Sequence, residues 1–240
     1  MDNLSIWESV EKTDPSFTKK FSVGGYYGTS ISGQYVYMRL TEVFGPVGIG
    51  WGYEIVQERY DEGAPFVFNE IQMVQKTHTI HLRLWYVLVG NPKAFIDGFG
   101  HTPYLYSSGK GTAVTVDQEA PKKSLTDAIK KCASMLGIGA DIFMGLHDDN
   151  DYMQELRNEV SLEKAEDKVQ RELEIEMERK EYLQSVVKLI GETTTKAMLE
   201  GVFKGAVRKL SLRKDDSGII MITKAKDAAL ERLNKPEVKA

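Results

Sequence analysis

The chain has 240 residues, 42% of them hydrophobic, and it carries a net charge of −4 and a single cysteine, Cys132. This composition is typical of a globular protein and excludes a collagen-like or largely disordered chain. One cysteine excludes a disulfide framework and a zinc site built from several cysteines, and an acidic total charge gives no general attraction to nucleic acid.

The sequence contains no segment typical of a membrane span or a secretion signal. No apolar run approaches the ~20 residues that cross a bilayer, and the first residues lack an apolar run with a basic flank. We therefore expect a cytoplasmic protein without a membrane partner.

The first elements along the chain are an irregular segment, a helix and a strand. Residues 15–33 are rich in Gly, Ser and aromatic residues and predict a loop or an irregular strand. Over residues 34–44 apolar side chains recur at helical spacing, and a Gly-Pro pair ends the run. The alternation that begins at Trp51 predicts a strand.

A hairpin and a helix follow. Residues 76–89 alternate as a strand does, residues 90–92 form a Gly-Asn-Pro turn, and residues 94–106 return as a second strand. Residues 120–136 then predict a helix, with a core-facing stripe of Leu125, Ile129, Cys132 and Leu136. Since Cys132 lies on this stripe, we interpret it as a small hydrophobic residue and not as a nucleophile.

The predicted helix carries two lysine doublets. Its phase puts Lys123 and Lys130 opposite the apolar stripe, while Lys122 and Lys131 flank it. Taken alone, such a pattern is typical of a solvated helix face.

The remaining chain divides by charge. Residues 151–182 carry six basic and 11 acidic side chains, and residues 183–240 carry 12 basic and seven acidic ones. We expect a core domain at 1–150, a charged helical linker at 151–183 and a small helical domain at 184–240. The predicted fold class is α+β, with an antiparallel sheet of three to four strands packed with helices and a helical C-terminal unit.

Catalytic motifs fail when their spacing is tested. The Gly-Lys pair in SSGKGT (107–112) suggests a phosphate-binding loop. That loop would need Gly at position 104, which is Tyr104, and Ser or Thr at position 111, which is Gly111. His78 and His81, three apart on a strand, point to opposite faces and do not favour a shared metal. A nuclease carboxylate pattern is also missing. We expect no enzyme activity, no catalytic residues, no metal and no cofactor.

Three segments together resemble the Rad52 family of single-strand annealing proteins. They are GQYVYMRLTEVFGPVGIGWGYEI at 33–55, IDGFGHTPY at 96–104 and APKKSLTDAIKKCASMLGIG at 120–139. Their Glu-x-Phe-Gly, Gly-Trp, Gly-aromatic-Gly and Lys-x-x-x-Thr-Asp-x-x-Lys-Lys motifs occur in the family's order. The resemblance covers residues 15–145. Within the family, the chain resembles the phage and prophage branch.

The resemblance implies DNA-binding residues. The basic pair of the family's main DNA groove corresponds to Lys130 and Lys131, and the basic residue one turn into that helix corresponds to Lys122. The basic residue before the family's Gly-Gly corresponds to Lys20. A second, outer site in some members implies Lys76 and Lys110.

The function that the resemblance implies is annealing of complementary single strands in recombination and double-strand break repair. The protein would act without ATP as a ring-shaped homo-oligomer, in a bacterial cytoplasm if a phage or prophage encodes it. A single-strand binding protein or a recombination exonuclease is the partner expected for the C-terminal unit. The alternative is an accessory protein that binds single strands or protects ends without annealing them, and a nuclease is the less favoured rival.

Overall fold

A computed structural model describes residues 3–23, 25–108 and 113–234 of the chain. The chain is divided into two compact units, Met1–Gly145 and Leu146–Ala240. The first unit is α+β and contains an antiparallel four-stranded sheet, and the second is helical. The predicted fold class is confirmed at this level.

The first unit contains the strands and four of the helices. Its helices are α1 (Ser5–Val10), α2 (Gly33–Phe44), α3 (Ala120–Ser134) and α4 (Ala140–Phe143), and a single 3₁₀ turn covers Pro15–Phe17. Its strands are β1 (Thr18–Val23), β2 (Tyr26–Ile31), β3 (Trp51–Phe68), β4 (Ile71–Tyr86), β5 (Ala94–Ser108) and β6 (Ala113–Val116).

The main sheet has the order β3-β4-β5-β6, and β1 and β2 form a separate hairpin. Alternation along β4 buries Ile80, Leu82 and Leu84 on the face that α3 covers. Helix α2 adds Val36 and Leu40 to the same core. One hydrophobic core therefore holds α2, α3 and the middle of the sheet together.

Two glycines let α3 lie directly on the sheet. A Cβ at Gly100 would stand 1.9 Å from the carbonyl oxygen of Ser124, and one at Gly98 would stand 2.5 Å from Sγ of Cys132. Glycine allows this backbone approach because it has no side chain. The Gly-Phe-Gly motif of the sequence is thus the contact surface for α3, with Phe99 between the glycines pointing away and stacking on His81.

The segment predicted as a loop or irregular strand at 15–33 contains a regular hairpin. Strands β1 and β2 pair antiparallel from Thr18 opposite Ile31 to Val23 opposite Tyr26. Ile31 is buried in the core, whereas most of the other described side chains of the hairpin are at least partly exposed. The hairpin is short and mostly solvated, so its sequence shows weak alternation.

Strand β3 is longer than the prediction from Trp51 onward suggested. It runs to Phe68 through two register shifts, one between Ile55 and Gln57 and one between Glu62 and Pro65. Proline is tolerated there because β3 is an edge strand. The following strand begins at Ile71, five residues before its predicted start at 76.

The second unit is built from α5 (Asn150–Lys164), α6 (Lys168–Glu192), α7 (Lys196–Leu212) and α8 (Asp216–Asn234). Its core contains Leu183, Ile190, Leu199, Leu210 and Ile222. The charged stretch 151–183, predicted as a linker, belongs to this unit, since ion pairs such as Arg213 with Glu155 join α5 to the end of α7. The boundary between units therefore lies at 145, with α5 and most of α6 on the C-terminal side.

Candidate nucleic-acid interface

Helix α3 holds four lysines, and three of them are paired with carboxylates. Nζ of Lys122 lies 2.9 Å from Glu119, Nζ of Lys123 lies 2.6 Å from Asp117, and Nζ of Lys131 lies 2.8 Å from Asp127. These pairs are exposed, where an ion pair contributes little to stability. The three acidic partners nevertheless offset most of the positive charge of the helix.

Lys130 differs from the other three. It is half-buried, and its Nζ donates to Oγ of Ser30 on β2, 3.4 Å away and 100 residues earlier in the chain. The helix phase was predicted to leave Lys130 opposite the apolar stripe and exposed, but the β1–β2 hairpin lies against that side of α3. Burial lowers the pKa of Lys130, because the charged amine loses part of its hydration.

Replacing Lys130 by methionine is therefore expected to leave the free protein at least as stable as wild type at neutral pH. Methionine keeps the packing of the alkyl stem and removes the buried charge. The lowered pKa means that the unfolded chain binds this proton more tightly, so the penalty is complete below the folded-state pKa and disappears as pH rises towards the ordinary value of 10.5.

Thermal unfolding at neutral and alkaline pH measures this effect. The advantage of the methionine variant should shrink as pH rises. A variant that unfolds well below the wild-type temperature at neutral pH would contradict the expected cost of burying Lys130.

The hairpin carries two adjacent lysines on opposite faces. Lys20 pairs with Thr29 across the hairpin, and Lys19 pairs with Ser30. Cross-strand partners project to the same face, so Lys19 lies on the face of Ser30, which Lys130 contacts. The predicted Lys20 is exposed and occupies the other face, with Ile31.

No described contact joins the residues predicted for an outer site to the lysines of α3 and the β1–β2 hairpin. Lys76 is half-buried within β4, opposite Glu62 of β3 and Leu105 of β5. It lies six residues beyond the Asn69-Glu70 turn and does not open the hairpin. Lys110 falls outside the described residues.

Cys132, as predicted, and two aromatic residues lie in the core. Cys132 is fully buried, and burial raises the pKa of its thiol to about 11, which makes it a poor nucleophile. Phe44 and Trp51 are core residues, and Nε1 of Trp51 donates to Thr41. The rings of Phe44 and Trp51 are therefore packed within the fold.

The histidines on β4 point to opposite faces, as predicted. His78 is buried under α3 with its Nε2 2.9 Å from Glu58, while His81 stacks on Phe99 on the other face. Across residues 3–23, 25–108 and 113–234, no three His, Cys, Asp or Glu side chains form a group that could hold a metal ion. None of the helices in these ranges is both long and apolar enough to cross a membrane.

Sequence reasoning missed the residues beside Lys20. Lys19, Phe21, Tyr26 and Tyr27 all lie on the exposed hairpin, but the segment was interpreted as irregular. The two short β-favouring runs on either side of the Gly24-Gly25 pair are a hairpin signal that could have found them. The acidic partners of the α3 lysines were also visible in the sequence, within six positions of each lysine.

The geometry therefore gathers basic side chains where α3 meets the β1–β2 hairpin, next to exposed aromatic rings. Lys130 and Lys19 share one side of this junction, and Lys131 and Lys122 stand elsewhere on α3 with their carboxylates. Comparison with known proteins adds no assignment, because the sequence matches no family model and no curated protein.

Proposed function

We propose that this chain binds single-stranded DNA and promotes annealing of complementary strands, as a homo-oligomer and without nucleotide hydrolysis. The observation that carries the proposal is the junction between α3 and the hairpin, where Lys130 contacts Ser30 across 100 residues of sequence. The resemblance to Rad52 proteins covers residues 15–145, which include both of these segments, and the motif at 120–139 contains α3.

The charge distribution at the junction supports a polyanionic ligand. Residues 15–38, which include the hairpin, contain Lys19 and Lys20 but no acidic side chain. A local basic surface attracts phosphates even on a protein with an acidic total charge. Lysine contacts to phosphates do not read sequence, and this suits a protein that must handle any strand.

The positions of the α3 lysines also suit annealing. Lysines that hold a strand by its phosphates leave the base edges free to pair with a complement. Helix α3 provides a rigid support, because Gly98 and Gly100 seat its backbone directly on the sheet. We include Lys122, Lys130 and Lys131 of α3 and Lys20 of β1 in the proposed site, with Lys76 and Lys110 in a second, outer one.

Assembly into an oligomer is supported by strand β3. Apart from one bridge at Trp51, β3 pairs only with β4 among the described residues, so its outer edge is open over most of 18 residues. Its exposed apolar side chains include Tyr53, Ile55, Val56 and Tyr60. An open strand edge with exposed apolar side chains favours pairing with another chain, and we propose that a second copy covers it.

An apolar groove continues this surface. It has a volume of about 690 Å³ and is lined by α2, α3 and the start of β3, with Met38, Trp51 and Tyr53 among its residues. Contiguous apolar surface of this kind marks an interaction site. The groove and the edge of β3 together would give the second copy one continuous contact.

Replacing Val56 by lysine is expected to reduce or abolish the oligomer. A charged side chain on an edge strand opposes edge-to-edge pairing, and Val56 is already half-exposed, so the fold itself should change little. Val89→Lys is the matched control, since Val89 is exposed in the turn between β4 and β5. Light scattering should report smaller particles for the first variant only. Unchanged assembly of Val56→Lys would exclude this part of β3 from the interface.

An annealing assay tests the proposed function itself. Two complementary labelled oligonucleotides are mixed with the full chain, in the presence of a metal chelator and without nucleotide. We expect faster duplex formation than without protein, because the SSGKGT segment departs from the phosphate-loop pattern at Tyr104 and Gly111 and no nucleotide is needed. With Mg²⁺ in place of the chelator we expect no strand cleavage, because the sequence lacks a nuclease carboxylate pattern. A requirement for ATP would overturn this mechanism, and binding without annealing would favour the end-protecting alternative.

For the second unit we propose a docking role. Residues 184–240 carry an excess of basic over acidic side chains, which favours an acidic partner surface. A single-strand binding protein or a recombination exonuclease is the partner class that the resemblance implies.

A further inference from the structure

One face of the β1–β2 hairpin combines lysine and aromatic side chains in a single row. Lys19 pairs with Ser30 and Phe21 pairs with Gly28, so all of these residues share a face with Tyr26. The rings of Phe21 and Tyr26 have centroids 6.0 Å apart and are tilted by 49°. On this face of the hairpin, a solvent-exposed aromatic pair therefore lies next to Lys19.

The absence of a side chain at Gly28 shapes this row. A Cβ at Gly28 would stand 3.0 Å from Cζ of Phe21 and 3.3 Å from Cε1 of Tyr26. Both rings thus lean over the glycine. Tyr26 remains 68% exposed and Phe21 remains 38% exposed, so the pair presents ring surface to solvent.

Lys130 of α3 adds a second basic side chain at the end of the row where Lys19 lies. Nζ of Lys130 reaches Ser30, the cross-strand partner of Lys19. Lys19 takes part in no ion pair among the described residues. Lys19 and the two exposed rings lie on a hairpin that contains no Asp or Glu, and Lys130 reaches this hairpin from α3. Cations next to exposed rings form the combination by which proteins hold single strands.

We propose that Phe21 and Tyr26 stack on unpaired bases of a single strand while Lys19 and Lys130 contact the adjoining phosphates. This inference rests on the proposed function and deepens it, because it names the part of the hairpin that holds bases. Stacking covers the flat face of a base and leaves its pairing edge free. A stacked base can therefore still meet its complement.

The charges favour this occupant over an apolar protein surface. An apolar partner would gain from the rings but would leave the two lysines without anions. A nucleic-acid strand offers partners for both the rings and the lysines, since its bases and phosphates alternate along the chain. Stacking is also tolerant of sequence because every base has a π-face.

The test compares two oligonucleotides of equal length and equal charge, one of thymidine and one without bases. Tyr26→Ala in the full chain is expected to weaken binding of oligothymidine about 10-fold, the usual scale for one stacked base. Binding of the abasic strand should stay at the wild-type level. Tyr26→Phe keeps the ring and should restore tight binding of oligothymidine.

Tyr27→Ala is the matched control. Tyr27 is 76% exposed and adjoins Tyr26, but strand alternation puts it on the opposite face of the hairpin. Its replacement should change binding of neither strand. Equal losses for Tyr26→Ala and Tyr27→Ala, or an equal loss on both oligonucleotides, would overturn the stacking inference.

The outcomes also separate this inference from the proposed function. If wild type binds oligothymidine and anneals strands but Tyr26→Ala behaves as wild type, stacking fails and the proposed function stands. If wild type binds neither oligonucleotide, both fail. Because Tyr26 is largely exposed, its replacement should leave the circular dichroism spectrum unchanged, and a folded variant is required for each comparison.

Discussion

Replacing Lys130 and Lys131 together by glutamine is expected to weaken binding of single-stranded DNA about 10-fold near 0.1 M salt. Each lysine that neutralises a phosphate on a single strand contributes ~0.7 to the slope of log affinity against log salt. Losing two such contacts should lower this slope by about 1.4 and should affect all sequences alike. Binding of a labelled oligonucleotide over a range of salt concentrations measures both quantities.

Glutamine is preferred to alanine here because it keeps two of the four methylene groups of the half-buried Lys130 and removes its charge. Lys180→Gln with Lys188→Gln is the matched control. Both of these lysines are exposed and lie within 4 Å of a glutamate four positions away, in the second unit. If the control weakens binding as strongly, the effect reflects total charge and the α3 site is wrong. Dissociation of the oligomer in the first variant would instead identify the doublet as an interface.

The second large effect is expected from Gly100→Ala, which should destabilise the first unit by about 3 kcal/mol or more. The new methyl group would overlap the carbonyl oxygen of Ser124 and approach the backbone nitrogen of Ala128 to 2.9 Å. Overpacking against side chains costs about 1–3 kcal/mol, and a backbone obstacle has less freedom to move aside. Helix α3 would have to shift away from β5, and DNA binding should weaken with it.

Gly63→Ala provides the control in the same sheet. A Cβ there would meet Cβ of Gln75 at 3.3 Å, a contact that a shift of a few tenths of an ångström between the two strands relieves. Its effect should stay within about 1 kcal/mol. Urea unfolding of both variants gives the comparison, and equal midpoints for Gly100→Ala and wild type would show that α3 does not rest on the backbone of β5.

The sequence predicts those elements whose periodicity reflects one buried face. Helix α2 and strand β4 bury alternate or helical positions in a single core, so their apolar residues recur regularly and both elements were anticipated. Helix α3 shows the same regularity, ending before Gly137, whose φ of +102° stops the helix. For these elements local pattern and tertiary packing agree.

The elements that escaped prediction lack such a face. The start of strand β3 was predicted, but the strand is exposed on both faces over residues 53–60. Its full length is therefore not marked by a buried face, and Gly63 and Pro65 are residues typical of a turn. The charged stretch around α5 was interpreted as a linker because its stabilising contacts are ion pairs with distant residues, such as Arg208 with Asp149. Such contacts leave no periodic signal.

The candidate site was predictable in composition but not in geometry. The doublet at Lys130 and Lys131 stood out by charge alone. In the structure Lys130 contacts Ser30, whereas Lys131 pairs with Asp127. This difference depends on how the hairpin packs against α3. The choice of Lys19 or Lys20 as the neighbour of Lys130 likewise depends on strand register, which a one-residue shift would reverse.

Under the proposed function, the carboxylates paired with the α3 lysines would affect how a strand leaves the protein. Glu119, Asp117 and Asp127 act as tethered counterions for Lys122, Lys123 and Lys131. A departing phosphate can be replaced at once by a carboxylate that never diffuses away, so release requires no ion from solution. An annealing protein has to give up its product after pairing, and such internal competition speeds turnover at the cost of affinity.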